Sequence, residues 1–253
     1  MTKQSIQNKK AWEHNAYDFW VKKYGEPSKL AEAISKNPSA YLKKHQAHFR
    51  QVEGKSIANI CGSNGRKAVP LALMGAKVSV FDISNENKMY ALELADFAGV
   101  SIDYIVTDVL EIDRQLYSNS FEILYLEGGI LHYFSDINKL TSILSDLLIP
   151  GGTLVLSDFH PIKRCLTEIP GETHYRMEPA YFDQPLHTGE VAFKKFFAPS
   201  QSEDFPEVLV KPHTLSEILN AVIQSGLTIR QFEEHPGWNG ENIPWEYTLI
   251  AEK

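Results

Sequence analysis

The feature that most constrains this chain is an alternation of apolar runs and amphipathic segments that begins near residue 55. "SIANIC" (56–61), "KVSVFDIS" (77–84), "SIDYIVTDV" (101–109), "FEILYLEGG" (121–129) and "TLVLSDF" (153–159) read as five strands. Helical segments separate them at 66–75, 85–100 and 136–148. In the second, Met89, Leu92 and Phe97 recur on a helical period; in the third, Ile137, Leu140, Leu144 and Leu147 share one side. Pro70 falls inside the first of these helices, which predicts a kink or a late start. Strands alternating with helices predict an α/β fold with a parallel sheet covered on both faces. Right-handed crossovers make that sheet doubly wound.

The alternation pauses over residues 161–212 and resumes at "HTLSEILNAVIQSGL" (213–227), where Thr214 and Glu217 form a capping box. "TIRQFEEH" (228–235) and "WEYTLIAEK" (245–253) follow with no helix between them, so the sheet should end on an antiparallel pair. The expected architecture is a seven-stranded, mostly parallel sheet with an antiparallel last strand. Residues 1–50 read as a helical lid segment carrying Trp12, Tyr17, Phe19, Trp20 and Tyr24, broken at Pro27 and Pro38. Residues 51–253 read as the main domain, with 161–212 as an inserted cap and a strand pair near 190–197.

Composition sets the outer bounds. At 253 residues the chain suits one domain with an elaboration, and its net charge of −7 argues against a nucleic-acid partner. Its two cysteines, Cys61 and Cys165, give neither a disulfide framework nor metal-ligand spacing, so no metal is expected. The first twenty residues hold lysines with no apolar segment behind them, and no apolar run approaches a membrane span. The expectation is a cytoplasmic protein with no membrane partner; the oligomeric state is left open.

Three successive strand ends carry chemistry. The loop Cys61-Gly62-Ser63-Asn64-Gly65 joins the first strand to a helix, Asp82 closes the second strand and Asp108 the third. A glycine-containing turn alone is as often a plain turn as a ligand loop, and a lone Asp before a helix is usually a cap. The series is more telling than its members. Ligands of doubly wound sheets bind at the carboxyl ends of the strands. There small residues open the backbone, one carboxylate suits the two hydroxyls of a ribose, and the other suits an adenine amino group.

From these residues onward the chain resembles the class I S-adenosylmethionine-dependent methyltransferases, across about residues 55–253. The motifs are "NICGSNG", "VSVFDIS", "IVTDV", "EGGILHYFSD" and "LLIPGGTLVLSDFHP", with the antiparallel end of the sheet. The resemblance implies a Rossmann-like fold and S-adenosylmethionine as cofactor. It places Asn59, Cys61, Gly62, Ser63, Asn64, Gly65, Asp82, Ile83, Asp108, Val109, Glu127 and Gly128 around that cofactor. The family's loop has three glycines, at positions held here by Cys61, Ser63 and Gly65. We therefore expect Gly62 to take the left-handed conformation that Cys61 would resist. Two rival readings are a cofactor-binding protein without turnover and a nicotinamide-dependent oxidoreductase; the latter would want G-x-G-x-x-G.

Methyl transfer implies an acceptor, expected here to be a small molecule, although no motif names its reacting atom. His132 and His160 follow the fourth and fifth strands and are the candidates for a general base. The plainer reading has His132 packing against the cofactor or capping the next helix, and His160 fixing the turn before Pro161. Tyr175 and Tyr181, with Phe182, Phe193, Phe196 and Phe197, would form an apolar wall for the acceptor. Tyr17 and Trp20 would close the site as lid residues.

Overall fold

The computed structural model describes residues 1–169, 175–178, 180–182, 185–197 and 204–253. Strands β1 (Ser56–Ile60), β2 (Lys77–Asp82), β3 (Asp103–Val106), β4 (Phe121–Glu127) and β5 (Leu148–Phe159) alternate with helices. These are α4 (Ala68–Leu73), α5 (Asn85–Phe97), the short α6 (Arg114–Tyr117) and α7 (Ile137–Leu147). Helix α8 (Leu215–Gln224) leads to β10 (Thr228–His235) and β11 (Glu246–Glu252). The sheet order is β10-β11-β5-β4-β1-β2-β3, with β11 antiparallel to both of its neighbours. This is the doubly wound, Rossmann-like sheet with the antiparallel end that the sequence pattern predicts.

Local chemistry sets the element ends. The Ser84 hydroxyl accepts from Asn87 N at the start of α5, and the Asp136 carboxylate accepts from Lys139 N at the start of α7. The Thr214–Glu217 capping box opens α8. Helix α4 starts late, at Ala68, so Pro70 falls in its first turn, where its missing N–H forfeits no helical bond. One expectation fails on α5. Met89, Leu92 and Phe97 stand exposed, and the buried face is Asn87, Tyr90, Ala91, Leu94 and Ala95. The small Ala91 is what lets α5 approach the β1–α4 loop: a Cβ on Gly65 would lie 2.9 Å from its methyl.

The sheet alternates its side chains between two apolar cores. Val80 joins the core under the N-terminal helices, and Phe81 joins the one under α7 and α8. The N-terminal segment consists of α1 (Lys3–Glu13), α2 (Ala16–Tyr24), α3 (Pro27–Lys36) and a 3₁₀ stretch at Pro38–Phe49. It caps the first core with Phe19, Leu30, Ile34, Leu42 and Phe49, all buried.

The insertion folds differently from the predicted strand pair. Residues Lys194–Phe196 form a 3₁₀ turn, and the pairing lies elsewhere: β6 (Leu166–Glu168) with β7 (Tyr175–Met177), and β8 (His187–Gly189) with β9 (Val208–Val210). Phe193 is buried between Phe19, on which it stacks at 4.8 Å, and the edge of Trp12 at 5.5 Å. Gln4 and Asn8 of α1 donate to Leu209 O, and Leu209 N donates back to Asn8 Oδ1. Insertion and N-terminal segment thus form one interlocked layer. Among the described residues no helix is long and apolar enough to cross a membrane.

Candidate active site

A cavity of about 670 Å³ opens at the carboxyl ends of β1 to β5, under α1, α2 and the 3₁₀ stretch. Its floor contains Asn59, Cys61, Gly62, Ser63, Asn64, Asp82, Ile83, Asp108, Val109, Glu127 and Gly128. All of these were expected at the cofactor. Gly65, the twelfth, lies outside the lining, against Ala91.

The loop geometry corrects the expectation for Gly62. The left-handed residues are Cys61 (φ 51°), Ser63 (φ 50°) and Gly65 (φ 77°), the three positions that carry glycine in the family pattern; Gly62 is not among them. Each non-glycine residue there costs about 1–2 kcal/mol. The surrounding bonds over-determine the turn: Cys61 N donates to Phe81 O at 2.7 Å, Ser63 N to Asp82 Oδ2 at 2.9 Å, and the Tyr104 hydroxyl to Ser63 O at 2.7 Å. Gly62 is needed for space. A Cβ there would sit 2.7 Å from both Asn59 Oδ1 and Val80 Cγ1. Burial, with Asp82 and Asp108 nearby, pushes the Cys61 thiol well up and keeps it protonated.

Asp82 is buried and accepts from Ser63 N, Ser84 N and Asn87 Nδ2. Its desolvation outweighs these bonds and raises its carboxyl above the usual range. Asn87 in turn accepts from Trp20 Nε1 at 2.7 Å, so the roof is tied to the acid through one amide. Asp108 accepts from Leu110 N through Oδ1, while its buried Oδ2 has no partner among the described residues. Asn59 Oδ1, Ser63 Oγ and Asn64 Nδ2 are likewise buried and unpartnered. Unmet buried polar atoms are costly, and with Arg66 Nε five of them belong to residues lining this one cavity.

At the end of β4, Glu127 pairs with Lys67 at 2.9 Å and accepts from the Tyr125 hydroxyl at 3.0 Å. That hydroxyl also contacts His45 Nδ1 at 2.8 Å, and His45 Nε2 contacts Thr248 Oγ1 at 3.2 Å. Burial pushes the His45 imidazole down to about 3, so it is neutral. Asp158, at the end of β5, is buried and pushed up to about 6, yet its carboxylate accepts from Ile130 N, Leu131 N and Phe159 N. It fixes the loop that follows β4.

The other expected residues do not gather here. His160 caps the following 3₁₀ turn, its Nδ1 accepting from Ile162 N, and its Nε2 lies 3.1 Å from Glu234. His132 packs on Tyr133, and burial pushes it down to about 4. Neither lines the cavity; His160 holds the turn at Pro161, whereas His132 neither borders the cavity nor caps α7, whose cap is Asp136. Tyr175 donates to Glu241, and the Tyr181 hydroxyl accepts from Leu215 N at the start of α8. Among the described residues, none from 161–212 lines the cavity. Phe193 and Phe197 are spent on the layer with α1 and α2, and Phe182 and Phe196 stand exposed. Of the two lid residues, Trp20 lines the cavity, whereas Tyr17 turns to α5 and donates to Glu93.

Sequence reasoning missed Trp12, Tyr24, Lys43, Arg66, Lys67, Asn87, Tyr133 and Trp238 on the wall. Trp20 and Tyr24 did leave a trace: they stand four apart on α2, a spacing that stacks their rings at 5.7 Å. Among the described residues no group of three or more His, Cys, Asp and Glu side chains is arranged to hold a metal.

A family model described as a methyltransferase domain matches residues 60–156. Among curated proteins, a tRNA U34 carboxymethyltransferase of Helicobacter hepaticus is 26% identical, covering 66% of this chain and 53% of that protein. A ubiquinone biosynthesis O-methyltransferase of Paramagnetospirillum magneticum is also 26% identical, covering 46% and 48%. The chain therefore spans about half the length of these relatives. The crystal structure of magnesium protoporphyrin IX methyltransferase from Synechocystis, with bound S-adenosylhomocysteine (SAH), covers 99% of this chain and all of that one. It superposes with a TM-score of 0.62 at 15% identity.

Proposed function

We propose, from the premise that the chain carries a class I S-adenosylmethionine-dependent methyltransferase domain, that it methylates a small acceptor in the cavity beneath its N-terminal segment. The observation that carries this reading is the convergence of the 61–65 turn, Asp82 and the unpartnered Asp108 oxygen on one cavity. In it, Asp82 receives the ribose hydroxyls, Asp108 Oδ2 receives the adenine amino group, and the backbone around Gly62 and Gly128 leaves room for the rest. The unpaired Asp108 Oδ2 fits an adenosine-bearing group, since it gains the bond it lacks. When bound, S-adenosylmethionine supplies an electrophilic methyl group on a sulfonium.

The chain's own work is alignment. The roof side chains Trp12, Trp20 and Tyr24 exclude water, and the floor fixes the orientation; such placement supplies about 7–11 kcal/mol of a barrier. His132 and His160 stand off the cavity, so this reading uses no histidine base. A small acceptor fits a roofed pocket in a chain of net charge −7 better than a polynucleotide does. The relatives are named for acceptors of both kinds.

Titration calorimetry with SAH and with NADH tests the cofactor. SAH is expected to bind and NADH not, and SAH at a hundredfold excess over Kd to stabilise the fold by about 2.7 kcal/mol. Binding of NADH alone would return the oxidoreductase reading.

A further inference from the structure

The cavity mouth has a charge pattern that the cofactor does not explain. Five cationic side chains line it (Lys23, Lys43, Lys44, Arg66 and Lys67) against the carboxylates of Asp82, Asp108, Glu127 and Glu246. Lys44 pairs with Glu246 and Lys67 with Glu127. The two aspartates lie on the floor and are buried. Lys23, Lys43 and Arg66 remain, each without a carboxylate within 4.0 Å among the described residues.

Three further observations single out these cations. The Arg66 guanidinium lies 3.7 Å over the Tyr24 ring, which Lys23 approaches at 5.2 Å, and Arg66 Nε is buried with no partner among the described residues. Lys43 has φ 52° and ψ −128°, a left-handed conformation that interrupts the 3₁₀ stretch at the mouth. A lysine held there is strained, and strain of this kind gathers at binding sites. Lys67 also registers the crowd: burial lowers its pKa first, Glu127 opposes that, and Lys43 and Arg66 lower it again.

We infer that the methyl acceptor carries an anionic group, which Lys23, Lys43 and Arg66 receive at the mouth while its apolar body lies among Trp12, Tyr133 and Phe159. The inference rests on the cofactor reading above. S-adenosylmethionine bears a sulfonium, an ammonium and one carboxylate, so it adds net positive charge to a wall that already has cations to spare. Its own carboxylate satisfies one of the three; an anionic acceptor satisfies the others. Lys23 and Lys43 are exposed and Arg66 is half-buried, so water serves them in the open site; a neutral or cationic acceptor that covered them would displace that water without replacing it.

The test uses the full chain saturated with SAH and three probes: 3-phenylpropanoate, phenyl phosphate and the neutral 3-phenylpropanamide. The two anions are expected to bind at least about 10-fold tighter than the amide, as loss of one charge-assisted contact implies. In the double variant Lys23→Gln, Lys43→Gln, saturated with SAH relative to its own Kd, the preference should fall below about 3-fold. Equal binding of anions and amide, or no binding of any probe to the SAH-loaded chain, overturns the inference and leaves the cofactor reading standing. Mixed tRNA that binds and is not displaced by the anions overturns it too, by giving the cations to RNA. Failure of SAH to bind appears before any probe is added and removes both.

Discussion

Two aromatic-rich stretches lie outside the regular sheet pattern, residues 1–50 and 161–212, and they do different jobs. The second leaves the sheet directly at its ligand-binding edge, after β5, yet none of its described residues lines the cavity. The first is remote in sequence from every strand end it covers, yet it supplies Ser5, Asn8, Trp12, Trp20, Lys23 and Tyr24 to the wall. The insertion braces the roof; the N-terminal segment is the roof. Sequence position told which stretch starts near the site, and packing decided which one stays there. Phe193 is the pivot of that division, since its ring is buried against both Phe19 and Trp12.

The most damaging way to break this arrangement is Phe193→Ala. Truncating a fully buried phenylalanine costs about 3–5 kcal/mol. Urea unfolding should show that loss, and SAH affinity should fall with it as the roof loosens. A stability change below about 1 kcal/mol would mean that the two stretches are not interlocked.

Asp82→Ala acts on the floor and should spare the brace. It removes a carboxylate placed to receive ribose hydroxyls, worth about 1.5–3 kcal/mol per charged bond, so SAH should bind at least about 10-fold more weakly. The Asn87 amide loses its acceptor in the same variant and with it part of the hold on Trp20. Unchanged affinity in a folded variant would take Asp82 out of the site.

Acid should act through the N-terminal segment next. His45 is buried there, with its folded value near 3 against an ordinary 6.5. A depressed value means that the unfolded chain binds the proton more readily. The contribution is therefore full above pH 6.5 and is lost progressively as pH falls toward 3. Between pH 7 and pH 5 this amounts to about 2 kcal/mol. His132, His160, His213 and His235 are lowered as well and act in the same sense. The stability gap between the parent and His45→Gln isolates His45. That gap should narrow by about 2 kcal/mol over the interval; a constant gap would show that His45 is not buried neutral.

Much of the fold was legible because strands and helices announce themselves locally. Period-two runs bounded by Gly and Pro gave every strand of the main sheet, and the Thr214 capping box gave the start of α8. The floor was legible for a related reason: ligands of such sheets meet strand ends, and strand ends are visible in sequence. What was hidden depends on contacts between distant segments. Nothing local separates Phe193, which is buried, from Phe196, which is half exposed three residues on. Nor does composition show that Lys67 and Lys44 find carboxylates while Lys43 finds none among the described residues. The loop misled for a different reason. Glycine at 62 suggested a conformational need, whereas the observed need is room beside Asn59 and Val80.

The smallest effect is also the sharpest test of the division between roof and brace. Tyr175 and Tyr181 are the aromatics of the insertion first expected to face the acceptor, and both hydroxyls are engaged elsewhere, with Glu241 and Leu215 N. Tyr181→Phe leaves the first N–H of α8 without its phenol acceptor, which should cost about 0.5–1.5 kcal/mol of stability. Tyr175→Phe gives up a bond to the half-buried Glu241 and should cost no more. In neither variant should the affinity for SAH change, nor that of the SAH-loaded chain for the anionic probes, because neither ring reaches the cavity wall. The matched change in the roof, Trp20→Phe, should behave otherwise. It strands the buried Asn87 Oδ1 beside Asp82, so it should lower SAH affinity while leaving the insertion in place. A loss of probe binding in Tyr175→Phe or Tyr181→Phe equal to that in Trp20→Phe would put the insertion on the acceptor's path. The division of labour between the two stretches would then be wrong.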